Sequence, residues 1–178
     1  ISNIALWAKI NPYSLCESSF GGSGYDIACG LAKGPIFFTR NYNKPIIQKV
    51  NFSPSFTDKL FFVNLNRKMN SQNAVKNFDL KLVTHSIISK LNTLTDKIAQ
   101  TKKLSAFEEL ITQHEFLIGK LLKKNPIKKD LFPDFNGSIK SLGAWGGDFF
   151  LATGDSSEMK YFYDKGFTTI IPYRQMCL

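Results

Sequence analysis

Glycines and a carboxylate come together in the segment from Gly21 to Asp26, which reads GGSGYD. Glycines at three of these positions allow positive φ angles and a close approach of the backbone to a ligand. A helix that begins here would point its free N–H groups at an anion, with Asp26 in the first turn. A carboxylate in that place can accept a proton from a substrate hydroxyl during phosphoryl transfer. It can also simply cap the helix, and taken alone the pattern is more typical of a capped turn.

A second glycine-rich segment covers residues 140–148 and reads KSLGAWGGD. Glycines between two predicted strands can make a tight hairpin, or they can let the backbone wrap a phosphate. Taken alone, the hairpin is the more typical structure. The segment lacks the G-x-x-x-x-G-K-[ST] pattern, which excludes the mechanism of the P-loop enzymes.

A third segment, from Asn66 to Ser71, places two cations, Arg67 and Lys68, after a predicted strand. Asn70 or Ser71 would then cap a helix. An anion could lie between the cations and the start of that helix. An ordinary strand-to-helix turn with solvated charges explains the same residues.

Hydrophobic periodicity predicts the elements that position these segments. A helical pattern covers the first ten residues, and Pro12 interrupts it. We expect Trp7, which belongs to this pattern, to lie in a core. Strands are predicted at 36–39, 46–50 and 60–65. Two helices follow, with apolar stripes at Leu80, Val83, Ile87, Leu91, Leu94 and Ile98, and at Phe107, Leu110, His114, Leu117 and Leu121. Ser105 with Glu108 forms a capping box that would start the second of them.

The period changes after Pro133, where strands are predicted at 138–142, 149–152 and 167–171. Ser156 or Ser157 could cap a short helix, which Gly166 would end. The element order predicts an α+β fold with a largely antiparallel sheet and helices on one face. The break between the two parts of the chain is expected near residues 52–58.

Composition limits the function classes. The formal charge of +9 favours anionic partners. The densest basic run, with lysines at 120, 123, 124, 128 and 129, is typical of a solvated helix end and loop. Three cysteines without metal-ligand spacing indicate reduced thiols and a cytoplasmic protein. No apolar run approaches the roughly 18 residues of a membrane span.

The three segments occur in one order, and together they resemble the GHMP family of small-molecule kinases. GSGYDIACG resembles the G-S-G-x-D-[IV]-A segment of mevalonate and phosphomevalonate kinases, and GPIFFTR resembles the strand that follows it. NLNRKMNSQNAV resembles their strand-to-helix segment, and KSLGAWGGDFFLA their signature K-x-[ST]-G-A-G-G-G-D. The reading GYDIA matches a subgroup of that family. The resemblance covers roughly residues 1–171.

This resemblance implies a fold and an activity. Residues 1–55 would end a ribosomal-S5-like N-terminal domain, and residues 56–178 would form a ferredoxin-like C-terminal domain. The protein would use ATP and Mg²⁺ to phosphorylate a hydroxyl or phosphate of a small anionic, mevalonate-like metabolite in isoprenoid biosynthesis.

The resemblance also assigns roles to residues of this chain. Asp26 matches the catalytic base, presented by the turn of Ser23, Gly24 and Tyr25. Ser71 matches the residue that opens the middle helix. The positions that would lie against phosphates and substrate are Gly143, Ala144, Gly146 and Gly147. Arg67 and Lys68 are candidate clamps for an anionic substrate group.

Two departures from the family pattern affect this prediction. Trp145 stands where the family usually has glycine, so an indole would fill or reshape the space of a phosphate or substrate. The family's Gly-Leu-Gly-Ser-Ser loop for ATP, and the residues expected to hold Mg²⁺, normally lie upstream of Gly21 and are not in this sequence. We therefore expect these 178 residues alone not to turn over ATP. An N-terminal segment, a companion chain or a homodimer would cover an apolar surface left exposed.

Two other function classes remain open. A non-catalytic metabolite-binding protein on the same scaffold would bind without turnover. A nucleic-acid-binding module would fit the positive charge, but the lysines are scattered and not interleaved with aromatic residues.

Overall fold

The computed structural model describes residues 2–19, 22–41, 45–67, 79–143, 145 and 147–177. The chain divides into two compact units, Ile1–Phe52 and Ser53–Leu178. Each unit has its own sheet, and the two are described in turn.

Unit 1 contains three short helices followed by a hairpin. They are α1 (Ser2–Ala8), α2 (Pro12–Ser19), α3 (Tyr25–Leu31), β1 (Ile36–Thr39) and β2 (Ile46–Lys49). Pro12 is the first residue of α2, where its missing N–H costs nothing. The backbone N–H of Tyr13 donates to Oδ1 of Asn11 at 2.8 Å. The predicted interruption is therefore the junction between two helices.

The expectation that Trp7 lies in a core is wrong. Its side chain is 86% exposed, and Leu6 is exposed beside it, whereas Ala5 is buried. Successive residues of a helix are about 100° apart, so a short helix that buries Ala5 turns the next two side chains away.

Unit 2 holds a four-stranded antiparallel sheet in the order β4-β5-β3-β6. Its strands are β3 (Leu60–Asn64), β4 (Ile139–Ser141), β5 (Phe149–Thr153) and β6 (Ile170–Pro172). The α-helices among its described residues are α4 (His85–Gln100), α5 (Leu104–Leu122), α6 (Ile127–Leu131), α7 (Lys160–Asp164) and α8 (Tyr173–Met176), with 3₁₀ turns at Thr57–Lys59 and Leu80–Leu82.

Helices contact both faces of this sheet, not one face as expected. The ring of Phe150 packs against Phe162 of α7, with ring centroids 5.3 Å apart. Thr153 points to the opposite face, because side chains alternate along a strand, and its hydroxyl donates to Glu108 of α5 at 2.5 Å. Residues 150–153 of β5 are all buried. A strand that is buried on both sides needs cover on both sides, which explains the second helical layer.

The starts of the two long helices differ from the prediction. The Thr84 hydroxyl accepts the backbone N–H of Ile87 at 3.3 Å, so α4 begins at His85, and Leu80 and Val83 precede it. Lys103 is the N-cap of α5 and makes no side-chain cap. The predicted capping box is wrong, because α5 begins at Leu104 and Ser105 therefore lies inside the helix. The Glu108 carboxylate instead binds Thr153. None of the helices within the described ranges has the length and apolar character needed to cross a bilayer.

Candidate functional site

The turn before α3 has the geometry that the glycine-rich segment predicts. Gly24 is the N-cap in the left-handed region, with φ 78°. A Cβ there would also lie 2.8 Å from Cδ1 of Tyr13, so both the backbone and the neighbouring ring require glycine. The N–H of Tyr25 donates to Oγ of Ser23 at 3.2 Å. The turn therefore enters the helix in one fixed direction.

Asp26 lies in the first turn of α3, and its side chain is exposed. The N-cap Gly24 has no side chain to cap the helix, and the first N–H of α3 is bound by Ser23. The structure therefore places an exposed carboxylate at the start of a helix whose entry is fixed by Gly24. Such a carboxylate can accept a proton from a bound hydroxyl.

Tyr25 is held in its protonated form. A hydrogen bond with the Cys29 thiol contributes most, and partial burial and nearby negative charge add to it, so the pKa of Tyr25 rises to about 12. The ring edge also packs on Phe38, with centroids 5.7 Å apart. At neutral pH the phenol beside Asp26 is thus a hydrogen-bond donor and not a base.

A cavity of about 750 Å³ lies in unit 1 behind this turn. Tyr13, whose ring contacts the Gly24 position, lines it, together with apolar residues such as Leu31 and Ile36. Lys33 and Lys49 are its two basic residues. Asp26 is not among its lining residues.

In unit 2 the structure brings three predicted site residues to one end of the sheet. Gly143 and Gly147 lie in the loop between β4 and β5, and Gly143 has φ 58°. The N–H of Leu65, just after β3, donates to the carbonyl of Asp148 at 2.8 Å, which joins the end of β3 to this loop. Arg67 follows two residues later and is exposed.

The indole of Trp145 turns inward and packs against α5. Trp145 has φ 56° and is only 8% exposed. Its Nε1 donates to Oε1 of Glu115 on α5 at 3.1 Å. The ring also lies against Gly119, where an added Cβ would come within 3.1 Å of it. Trp145 stands where the family pattern has glycine, and the structure accommodates its bulky ring by burying it in unit 2.

Glu115 is the centre of a buried polar cluster that the sequence analysis missed. Only 2% of the residue is exposed. It accepts hydrogen bonds from Oγ of Ser141 at 2.7 Å and from Nζ of Lys140 at 3.4 Å, besides the Trp145 indole. The signal was present in the sequence, because Glu115 follows Phe107 and Ile111 at helical spacings of four.

Two further pKa shifts come from this cluster. Burial lowers the pKa of Lys140, and the Glu115 carboxylate opposes that effect. Burial and then the positive charge of Lys140 lower the pKa of His114 to about 4. Neutral His114 can therefore accept a hydrogen bond from Lys140, whose Nζ is 3.3 Å from its Nδ1.

The other predicted positions lie outside the described residues or in the other unit. Lys68, Ser71, Ala144 and Gly146 lie outside the described residues. Ser23, Gly24, Tyr25 and Asp26 belong to unit 1, whereas Arg67, Gly143 and Gly147 belong to unit 2. In the described part of the chain, no three His, Cys, Asp or Glu side chains converge as a metal site.

The sequence matches no protein-family model and no curated protein sequence. Its structure is similar to that of Leishmania major mevalonate kinase in complex with R-mevalonate, with a TM-score of 0.60 and 14% sequence identity. The match covers 86% of this chain and 53% of the kinase, so the chain spans about half of that protein's length. The mixed helix and sheet structure therefore has a fold like that of this mevalonate kinase.

Proposed function

We propose that this chain forms part of a GHMP-type phosphotransferase. The enzyme would transfer the γ-phosphoryl group of ATP to a hydroxyl or phosphate of a small anionic, mevalonate-like metabolite. The observation that carries this proposal is the similarity of its fold to a mevalonate kinase over 86% of the chain. The ordered segments around Asp26, Arg67 and Gly143 support it independently of the fold.

Asp26 has the chemistry of the base in this proposal. The acceptor oxygen bonds to the γ-phosphorus, the bond from that phosphorus to the ADP oxygen breaks, and the acceptor proton passes to the carboxylate. Asp26 suits this role because it is exposed and because the left-handed Gly24 fixes the turn that carries it. Tyr25, protonated at neutral pH, can donate a hydrogen bond to the same substrate.

The end of the unit 2 sheet supplies the second part of the proposal. Backbone N–H groups of the loop at residues 143–147 would stabilise phosphate charge. Arg67 would bind an anionic group of the metabolite, since its guanidinium is exposed at the same end of the sheet. Lys68, Ser71, Ala144 and Gly146 are proposed members of the same site. The Glu115 cluster would hold the loop in place through Trp145.

The experiment is an ATP-consumption assay of the full-length protein with R-mevalonate and its phosphorylated form as acceptors. Asp26→Asn is expected to lower kcat by roughly 10²–10⁴-fold, the usual contribution of a general base. Its unfolding midpoint should stay near that of the wild type, because the side chain is exposed. Glu17→Gln is the matched control, since it removes one exposed carboxylate from the same unit.

Undiminished turnover by Asp26→Asn would remove Asp26 from the mechanism. A wild-type protein that binds the metabolite but never consumes ATP would instead identify a non-catalytic homologue.

A further inference from the structure

A basic pocket of about 460 Å³ lies at the C-terminal end of α5, and its lining includes none of the residues assigned to phosphoryl transfer. Its lining includes Lys120, Lys123, Lys124 and Lys129, together with Phe116 and Asn125. The four lysine side chains are all exposed. They include most of the basic run that the sequence analysis treated as a solvated helix end.

A tight reversal of the chain brings these lysines around one space. Lys123, the C-cap of α5, has φ 52°, and the N–H of Lys124 donates to the carbonyl of Gly119 at 3.0 Å. A Cβ at Gly119 would lie 2.8 Å from the carbonyl oxygen of Lys124, so only glycine allows the chain to return this closely. Lys129, on α6, then faces the same volume as Lys120.

The charge of this pocket is not neutralised within the described part of the chain. No carboxylate there lies within ion-pair distance of the four lysines, whereas Lys160 pairs with Asp164 at 2.6 Å. Nζ of Lys120 lies 4.3 Å from the centroid of the Phe116 ring, a contact that leaves its charge available.

The helix dipole does not explain the cluster. The C-terminal end of a helix carries only about half a negative charge. Two of the last four carbonyls of α5 are already satisfied, because those of Gly119 and Lys120 accept the N–H groups of Lys124 and Lys123. Four whole positive charges therefore exceed what the helix end can balance.

We infer that this pocket binds a small molecule that carries two or more phosphate groups. Its volume lies within the roughly 300–1,000 Å³ of small-molecule sites. Lysine ammonium groups bind phosphate as point charges, and four of them match a di- or triphosphate better than a single phosphate. Phe116 adds an apolar wall beside the charges. The inference is independent of the phosphotransferase proposal, because no residue is shared with it.

The test is a calorimetric titration of the full chain with pyrophosphate and with tripolyphosphate at low ionic strength. One variant changes Lys120, Lys123, Lys124 and Lys129 to Gln. The matched control changes the exposed Lys90, Lys97, Lys102 and Lys103 to Gln, and so removes the same charge from another surface. We expect the pocket variant to bind tripolyphosphate about thirtyfold or more weakly, and the control to bind almost as the wild type does.

Three results would overturn the inference. The wild type could fail to bind either probe, or both variants could lose affinity equally, which would mean that only the overall charge attracts the anion. An oligoribonucleotide could displace tripolyphosphate with a salt dependence of several phosphate contacts, which would assign the lysines to nucleic acid. Unfolding curves of both variants establish that they are folded.

Discussion

The Lys140 ammonium group lies beside the His114 imidazole, and its positive charge disfavours protonation of that ring. Their nitrogens lie 3.3 Å apart, and a lone pair on His114 is needed to accept from the ammonium group. Burial and the Lys140 charge keep the pKa of His114 at about 4. The folded protein therefore holds this histidine neutral at a pH where a solvated histidine would already be charged.

The stability of unit 2 should fall as the pH is lowered from about 6.5 towards 4. In this window the unfolded chain binds a proton at His114 that the folded chain does not, so acid favours unfolding. The slope should stay below the roughly 1.4 kcal/mol per pH unit of a fully buried group, because the imidazole keeps some solvent contact. Urea midpoints at about pH 7, 6 and 5 measure it.

His114→Gln should flatten this profile, and His85→Gln should not. The chain has only these two histidines, and His85 is exposed. A wild-type midpoint that does not change between about pH 6.5 and 5 would contradict the burial of the imidazole.

At the scale of elements, the loop between β4 and β5 depends on a strained residue that its own side chain holds in place. A left-handed conformation costs a non-glycine residue about 1–2 kcal/mol. Loss of a large buried aromatic side chain costs about 3–5 kcal/mol. Trp145, at φ 56° and hydrogen-bonded to Glu115, combines both terms. The burial of the indole should therefore stabilise the protein by more than the left-handed backbone destabilises it.

Trp145→Gly should destabilise the protein by about 1–4 kcal/mol although it relieves the backbone. Gly143→Ala is the comparison, because a Cβ there meets open space and adds only the strain of φ 58°. Its expected cost is about 1 kcal/mol. Chemical denaturation followed by circular dichroism measures both. A Trp145→Gly variant as stable as the wild type would show that the indole does not anchor the loop.

Sequence patterns predicted helix and strand bounds well where those bounds depend on neighbouring residues. β1 has the predicted bounds, Ile36–Thr39, and β3 ends one residue early. α5 shows the limit of this prediction. Phe107 and Leu121 of the predicted stripe are buried, but its Leu110, His114 and Leu117 are only half-buried. The other buried residues are Ile111, Glu115 and Gly119, which continue from Phe107 at spacings of four. Both rows fit a helical period, and the choice between them depends on which face meets the sheet.

One part of the candidate site could be predicted from neighbouring residues, and another part could not. The turn at Gly24 and Asp26 was predicted because positive φ and first-turn carboxylates are properties of neighbouring residues. The cluster around Glu115 was not, because its partners Ser141 and Trp145 are 26 and 30 positions away. Only the folded sheet and helix show that the Glu115 carboxylate, which lies in an apolar row, accepts hydrogen bonds from Ser141 and Trp145.

At the scale of the whole molecule, the two units differ in how much apolar surface they bury. Within the described residues of unit 1, the buried apolar side chains are Ala5, Ile27 and Ala28. Unit 2 has a cluster that includes Phe61, Phe132, Phe150 and Phe162. Ordering a residue costs about 1–2 kcal/mol of backbone entropy, which a few small side chains cannot offset.

Residues 53–178 should therefore fold alone, and residues 1–52 should not. The division at 52/53 lies close to the domain boundary of 55/56 that we propose. The larger fragment contains a single tryptophan, Trp145, whose burial should give a blue-shifted emission that is lost in one cooperative urea transition. Phe162→Ala is the control, since loss of this fully buried ring should cost about 3–5 kcal/mol and shift the transition to much lower urea. A fragment that emits like exposed indole, or that unfolds without cooperativity, would mean that unit 2 requires the first 52 residues to fold, and the proposed boundary would then not separate two domains.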